Sequence, residues 1–251
     1  MADETRWGDT HPAPERRAAL RLVAGDAAHQ DSEERTATTA PQSAPSDSPV
    51  ADPLRPKVPV IAILRAPSAE RFAEVAAVLQ ESGITAVEFT LNSAGALDAL
   101  RECAGFAHPV GAGTVLTAAD AARAVAAGAA YLITPAVIEE VIAEGRRLGV
   151  PVLSGALTPT EIHRAWTLGS SMVKVFPAAV GGPDYIKAVR APLPDIPLVP
   201  TGGVGLREAR AYLDAGAAAL GIGSPLLGDA CAGGDLDALR ERALVLRDQL
   251  S

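Results

Sequence analysis

VPVIAILRAPSAERFAEVAAVLQESGITAVEFT (58–90) joins two apolar runs, 58–64 and 84–90, through an amphipathic stretch, 69–82. The flanking runs are short and rich in Val, Ile and Phe, as strands buried on both faces are. The central stretch repeats its apolar residues at helical spacing and ends just before Gly83, as a helix C-terminus prefers. One strand, one helix and a second strand in this order make a βα unit, whose strands run parallel.

The unit recurs along the rest of the chain. Further strands are expected at HPVGAG (108–113), AAYLIT (129–134), GVPVLS (149–154), SMVKVF (171–176), IPLVPT (196–201) and AAALGIG (217–223). Helices are expected at 117–128, 136–149 and 206–216, among others. Eight nearly equal parallel units predict an α/β fold, a (β/α)8 TIM barrel over residues 57–251. A doubly wound open sheet is the alternative, and the evenness of the repeats weighs against it.

Residues 1–56 read differently. From 25 to 56 the chain is rich in Ala, Asp, Ser, Thr and Pro and nearly lacks large apolar side chains, so a disordered N-terminal extension is expected. PERRAALRLVA (14–24) has the pattern of a short amphipathic helix, marginal in water if alone. Residues 1–55 also hold ten acidic and six basic side chains, half of the net charge of −8. Neither part has the basic balance of a nucleic-acid binder. Two cysteines without CxxC spacing, no apolar run of membrane length and no signal-peptide pattern together predict a cytoplasmic protein with no membrane association.

Strand alternation then locates chemistry. In SMVKVFPA (171–178), Val173 and Val175 share one face, and Met172, Lys174 and Phe176 share the other. If the valines pack beneath helices, Lys174 enters the lumen. A lysine that snorkels to the rim or pairs with a carboxylate is the ordinary reading of a strand lysine. However, the chain has only Lys57, Lys174 and Lys187 among 22 basic residues, so a lysine placed mid-strand looks chemically required. A neutral lysine amine in an apolar site is the nucleophile of imine chemistry. In AVEFT (86–90), Glu88 also points inward, where it can hold the lysine by charge or carry protons.

PTGGV (200–204) and GIGSPL (221–226) place Gly202, Gly203, Gly223 and Ser224 where strands seven and eight end. Backbone amides there, with the start of a short helix, make the phosphate site common in such barrels. Each glycine pair alone is more often a tight turn; together they favour a phosphorylated ligand. His11 and His29 lie in the extension and His108 and His163 have no HxH or HxxxH partner, so no metal is expected.

With these residues in hand, the chain from Val58 onward resembles the 2-keto-3-deoxy-6-phosphogluconate (KDPG) and 4-hydroxy-2-oxoglutarate (KHG) aldolase family and its 6-phosphogalactonate relatives. The motifs are IAILR (61–65), VEFTLNS (87–93), GAGTVL (111–116), ITP (133–135), GALTPTE (155–161), VKVFPA (173–178), GPDYIKA (182–188), PTGGV and GIGS. The resemblance implies a class I aldolase without cofactor that cleaves the phosphogluconate derivative to pyruvate and glyceraldehyde 3-phosphate. Cleavage of 4-hydroxy-2-oxoglutarate to pyruvate and glyoxylate uses the same lysine and glutamate. It further implies Lys174 as the Schiff-base residue, Glu88 as general acid/base, and Thr114, Pro135 and Phe176 around the keto acid. Gly202, Gly203 and Ser224 match its phosphate-binding elements, and the family's homotrimer is implied with them.

The sequence departs from the pattern at Asn92, where some members carry an arginine for the substrate carboxylate. Arg65, at the end of strand one, can replace it by bidentate pairing, or can be a structural rim arginine. LNS (91–93) resembles the phosphogalactonate branch and PTGGV the phosphogluconate branch, so the C4 preference stays open. A sugar-phosphate epimerase or isomerase, with Lys174 as an acid or base, and a non-catalytic binding barrel are the rivals. The inward Lys174 and Glu88 weigh against the binding barrel, because an unused buried charge pair is seldom the most stable choice.

Overall fold

The computed structural model describes residues 56–251, so the extension and its helical pattern at 14–24 lie outside the described residues. Eight strands are present: β1 Val60–Leu64, β2 Ala86–Thr90, β3 Val110–Gly113, β4 Leu132–Ile133, β5 Val152–Ala156, β6 Met172–Val175, β7 Leu198–Pro200 and β8 Leu220–Ile222. All ladders are parallel, in the order β7-β6-β5-β4-β3-β2-β1-β8. One isolated parallel bridge, Thr201 to Gly221, and the Ala218 N–H donating to Leu198 O at 2.8 Å join the two edges. The sheet is therefore a nearly closed barrel, and the open-sheet alternative falls.

The helices are α1 Phe72–Glu81, α2 Ala96–Glu102, α3 Ala118–Ala126, α4 Glu139–Leu148, α5 Pro159–Thr167, α6 Gly182–Arg190, α7 Ala209–Asp214, α8 Ser224–Leu227 and α9 Leu236–Leu250. Local chemistry sets several of their ends. Thr117 accepts from the Asp120 N–H before α3, and Thr158 and Glu161 form a reciprocal capping box before α5. Gly149 follows α4 with φ 71°, a left-handed conformation that a side chain would strain.

Most elements are shorter than the sequence pattern predicts. Helix α1 begins three residues late because the chain first pairs with the loop after β2: Ala69 N–H donates to Ala94 O and Ala94 N–H to Pro67 O. Strand β4 keeps only two residues. Beyond it the Thr134 hydroxyl donates to Ala136 O at 2.6 Å and accepts from Gly155 N–H at 3.1 Å, and Pro135 has no N–H for a ladder. Strand β5 instead runs to Ala156, two residues past its expected end.

Strand alternation divides the core. Val60, Ala62, Leu64, Val87, Phe89, Val173 and Val175 pack outward against the helices. Ile61, Ala86, Tyr131, Ile133, Leu153, Met172, Val199 and Ala219 fill the lower lumen. Each fully buried aliphatic or aromatic side chain contributes about 1.5–3 kcal/mol, so this plug closes the barrel floor and leaves the C-terminal mouth for chemistry.

Candidate active site

Lys174 enters the lumen as alternation requires, with Val173 and Val175 beneath the helices and Met172 in the floor. Only 4% of it is exposed. It stands beside Gly155 on β5 and Val199 on β7. A Cβ at Gly155 would fall 2.2 Å from the Pro135 carbonyl carbon, so this glycine lets the β4 loop fold over β5. The Lys174 ammonium position lies 5.4 Å from the centroid of the Phe176 ring at the mouth.

Glu88 is buried on β2, level with Ile63 and Gly111. Both its carboxyl oxygens lack a hydrogen-bond partner, and no ion pair within 4.0 Å links it to Lys174 among the described residues. Burial pushes its pKa up from the ordinary carboxylate value, and the positive charges of Lys174 and then Arg65 oppose that shift only in part. Beneath it, the Tyr131 ring packs against Gly111, where a Cβ would fall 2.0 Å from Cε2. The Tyr131 hydroxyl donates to Val87 O at 2.7 Å. Burial, then the Glu88 charge, discourage ionisation of that phenol.

Arg65 leaves the end of β1 and its Nη2 donates to Thr114 Oγ1 at 3.4 Å. Thr114 has φ 56°, a left-handed conformation that costs a β-branched residue about 1–3 kcal/mol. The strand ends on either side of Arg65 are tied: Thr90 Oγ1 donates to Leu64 O at 3.0 Å, and Ala66 N–H donates to Ser93 Oγ at 3.2 Å. Strain and ties together aim the guanidinium across the mouth.

A cavity of about 300 Å³ opens above Lys174, a size suited to a small metabolite. Arg65, Phe176, Thr201, Gly202, Gly203, Gly223 and Ser224 line it with the lysine. Arg65 and Lys174 are its charged side chains and no carboxylate joins them in the lining, so the cavity favours an anion. Gly202 and Gly203 both have φ 82°, and a Cβ at Gly202 would press on the Phe176 ring at 2.8 Å.

The expected residues thus converge unevenly. Thr114 meets the cavity through Arg65, and Pro135 lines a neighbouring hollow on the other side of Phe176. Asn92 is exposed after β2 and lines neither. Sequence reasoning missed Tyr131, Gly111 and Thr201. The alternation in AAYLIT pairs Tyr131 with Ile133 on one face and was the available signal for the first.

Fold and site define a nearly closed parallel barrel whose lumen carries an amine and an unpartnered carboxyl beside an anion-suited cavity. Comparison with known proteins gives the family. The KDPG and KHG aldolase profile matches residues 52–241, and the chain belongs to that family. The 2-dehydro-3-deoxy-6-phosphogalactonate aldolase of Escherichia coli (strain K12) is 38% identical over 175 residues, 68% of this chain and 85% of that one. The 2-dehydro-3-deoxy-phosphogluconate aldolase of Pseudomonas aeruginosa is 40% identical over 143 residues, 55% of this chain and 64% of that one. Among solved structures, the KDPG aldolase of Legionella pneumophila with pyruvate captured as a covalent carbinolamine has 28% identity and a TM-score of 0.72. That match covers 80% of this chain and 98% of the other.

Proposed function

We propose that the chain is a Schiff-base aldolase that cleaves 2-dehydro-3-deoxy-6-phosphogluconate to pyruvate and glyceraldehyde 3-phosphate. The observation that carries this reading is the buried amine of Lys174 opening onto an anion-suited cavity, with the unpartnered carboxyl of Glu88 in the same lumen.

In this mechanism the Lys174 amine adds to the C2 ketone, and loss of water gives a protonated imine. Glu88, through one water, takes the C4 hydroxyl proton. The C3–C4 bond breaks, its electron pair passing into the imine, which becomes an enamine while C4 becomes the aldehyde. Glu88 returns a proton to C3, and water hydrolyses the imine to release pyruvate and restore the amine. A carboxyl lifted above its ordinary range suits both directions of transfer. Arg65 holds the keto-acid carboxylate at the mouth, with Thr114, Pro135 and Phe176 around it; Asn92, which lines neither hollow, is left without a binding role. The backbone at Gly202, Gly203, Gly223 and Ser224 holds the phosphate.

The same machinery serves 4-hydroxy-2-oxoglutarate and the C4 epimer of the phosphorylated substrate, and a relative named for that epimer supports testing both. Relative kcat/KM values for the two epimers decide between them. Family resemblance supports a homotrimer, and two cysteines without a disulfide suit the cytoplasm.

Intact-mass measurement after pyruvate and sodium borohydride tests the reading. The expected result is one reduced adduct on the wild type and none on Lys174→Ala. A folded wild type without adduct would overturn the aldolase chemistry and favour an epimerase or isomerase that uses Lys174 as an acid or base.

A further inference from the structure

The cavity wall formed by α8 and the turn after it, 224–234, has little structure of its own. Helix α8 has four residues, too few to hold in water alone, and Pro225 offers no N–H. A single 3-10 turn, Ala230–Ala232, follows before α9. Two arginines from other parts of the fold take up its carbonyls instead.

Arg242, on α9, donates from Nε to Leu226 O at 2.7 Å and from Nη2 to Leu227 O at 2.9 Å. This is a fork over consecutive carbonyls at the end of α8. Gly228, with φ 56°, passes so close that a Cβ there would stand 2.9 Å from Nη2. Arg71, the residue before α1, donates from Nη1 to Ala230 O at 3.1 Å and to Gly234 O at 3.0 Å. Glu74 holds its Nε at 2.9 Å. Neither guanidinium lines the cavity, and Arg242 has no carboxylate within 4.0 Å among the described residues. Its fork therefore serves the main chain alone. Loss of one such charged bond leaves a half-buried carbonyl unpaired and lets the wall shift.

We infer that Arg242 and Arg71 are positioning residues that clamp Gly223 and Ser224 in register with Gly202 and Gly203, and so set the preference for phosphorylated 2-keto acids. The inference rests on the phosphate role proposed above for those four residues. It predicts a defect confined to the phosphate end, because Lys174 and Glu88 stand on β6 and β2 and Arg65 follows β1.

The test compares wild type with Arg242→Met, which keeps the stem, and Arg242→Lys, which keeps the charge, each checked by thermal melting. Three readouts are taken: cleavage of 2-dehydro-3-deoxy-6-phosphogluconate, inhibition by inorganic phosphate, and deuterium exchange into the pyruvate methyl group. The expected result is that both variants raise the KM for the phosphorylated substrate and the phosphate Ki by about tenfold. The kcat and the pyruvate exchange should stay near wild type. Unchanged KM and Ki in Arg242→Met would overturn the clamp, as would equal losses in cleavage and exchange. Full recovery in Arg242→Lys would overturn it too, since charge rather than the fork would then suffice. Should Arg242→Met fail to fold, Arg71→Met carries the same prediction. A wild type that exchanges pyruvate but ignores inorganic phosphate refutes the phosphate subsite itself, and the clamp with it.

Discussion

The carboxyl of Glu88 lies directly over the backbone of Gly113: a Cβ on that glycine would stand 1.6 Å from Oε1 and 2.3 Å from Cδ. Glu88 is 1% exposed and has nowhere else to go, so its position depends on the missing side chain. The obstacle is the carboxyl, since Gly113 is not among the residues with positive φ. Gly113→Ala is therefore expected to displace the Glu88 carboxyl, the proposed proton carrier, while the barrel still folds. Its kcat should fall by about a hundredfold or more, the usual contribution of a positioned acid or base. Steady-state cleavage kinetics beside a thermal melt check this, and wild-type kcat in a folded variant would remove Glu88 from the proton path.

Burial also makes Glu88 a pH-dependent load on stability. Its folded-state pKa is raised above the ordinary 4.5. Between those two values the folded protein keeps a proton that the unfolded chain has released, so stability declines as pH rises through the window. Glu88→Gln keeps the shape and removes the charge. It should abolish cleavage yet melt higher than wild type at neutral pH, by about 2–4 °C for each kcal/mol relieved. Below about pH 4 the carboxyl is protonated in both states and the difference should vanish. A variant that melts lower than wild type at pH 7 would mean that Lys174 gains more from the charge than burial takes away.

Arg65 combines exposure, a strained neighbour and, among the described residues, a single side-chain hydrogen bond, to Thr114. If it binds the keto-acid carboxylate, Arg65→Ala should raise the KM for pyruvate in imine trapping by about ten- to a hundredfold. Arg65→Lys should recover only part, because a point charge lacks the bidentate fork. An unchanged KM would return Arg65 to a structural role at the rim.

The inward directions of Lys174 and Glu88 were legible because period-two alternation is a geometric necessity of strands, and the valines on the other face of β6 fixed its sense. The glycine pairs after β7 and β8 were legible in the same way, from their place at strand ends. Gly111, Gly113 and Gly155 were not, since a sequence shows where a side chain is missing but not which distant group occupies the space. Tyr131 escaped notice because its phenol reads as core until Glu88 is seen above it. Strand β4 was overestimated because the Thr134 hydroxyl substitutes for ladder bonds, a tertiary arrangement that no local pattern announces. Arg242 and Arg71 read as ordinary charged helix residues, and their carbonyl partners lie far away in the chain.

The barrel is fastened at its last joint by little more than the bridge between Thr201 and Gly221. On the proposed reading, the phosphate group rests just above that joint, with Gly202 and Gly203 on one side and Gly223 and Ser224 on the other. The ligand would then act as the missing rung of the barrel. Occupancy should slow amide exchange most in β7 and β8, so that an enzyme working amid abundant substrate is a sturdier protein than the same enzyme at rest.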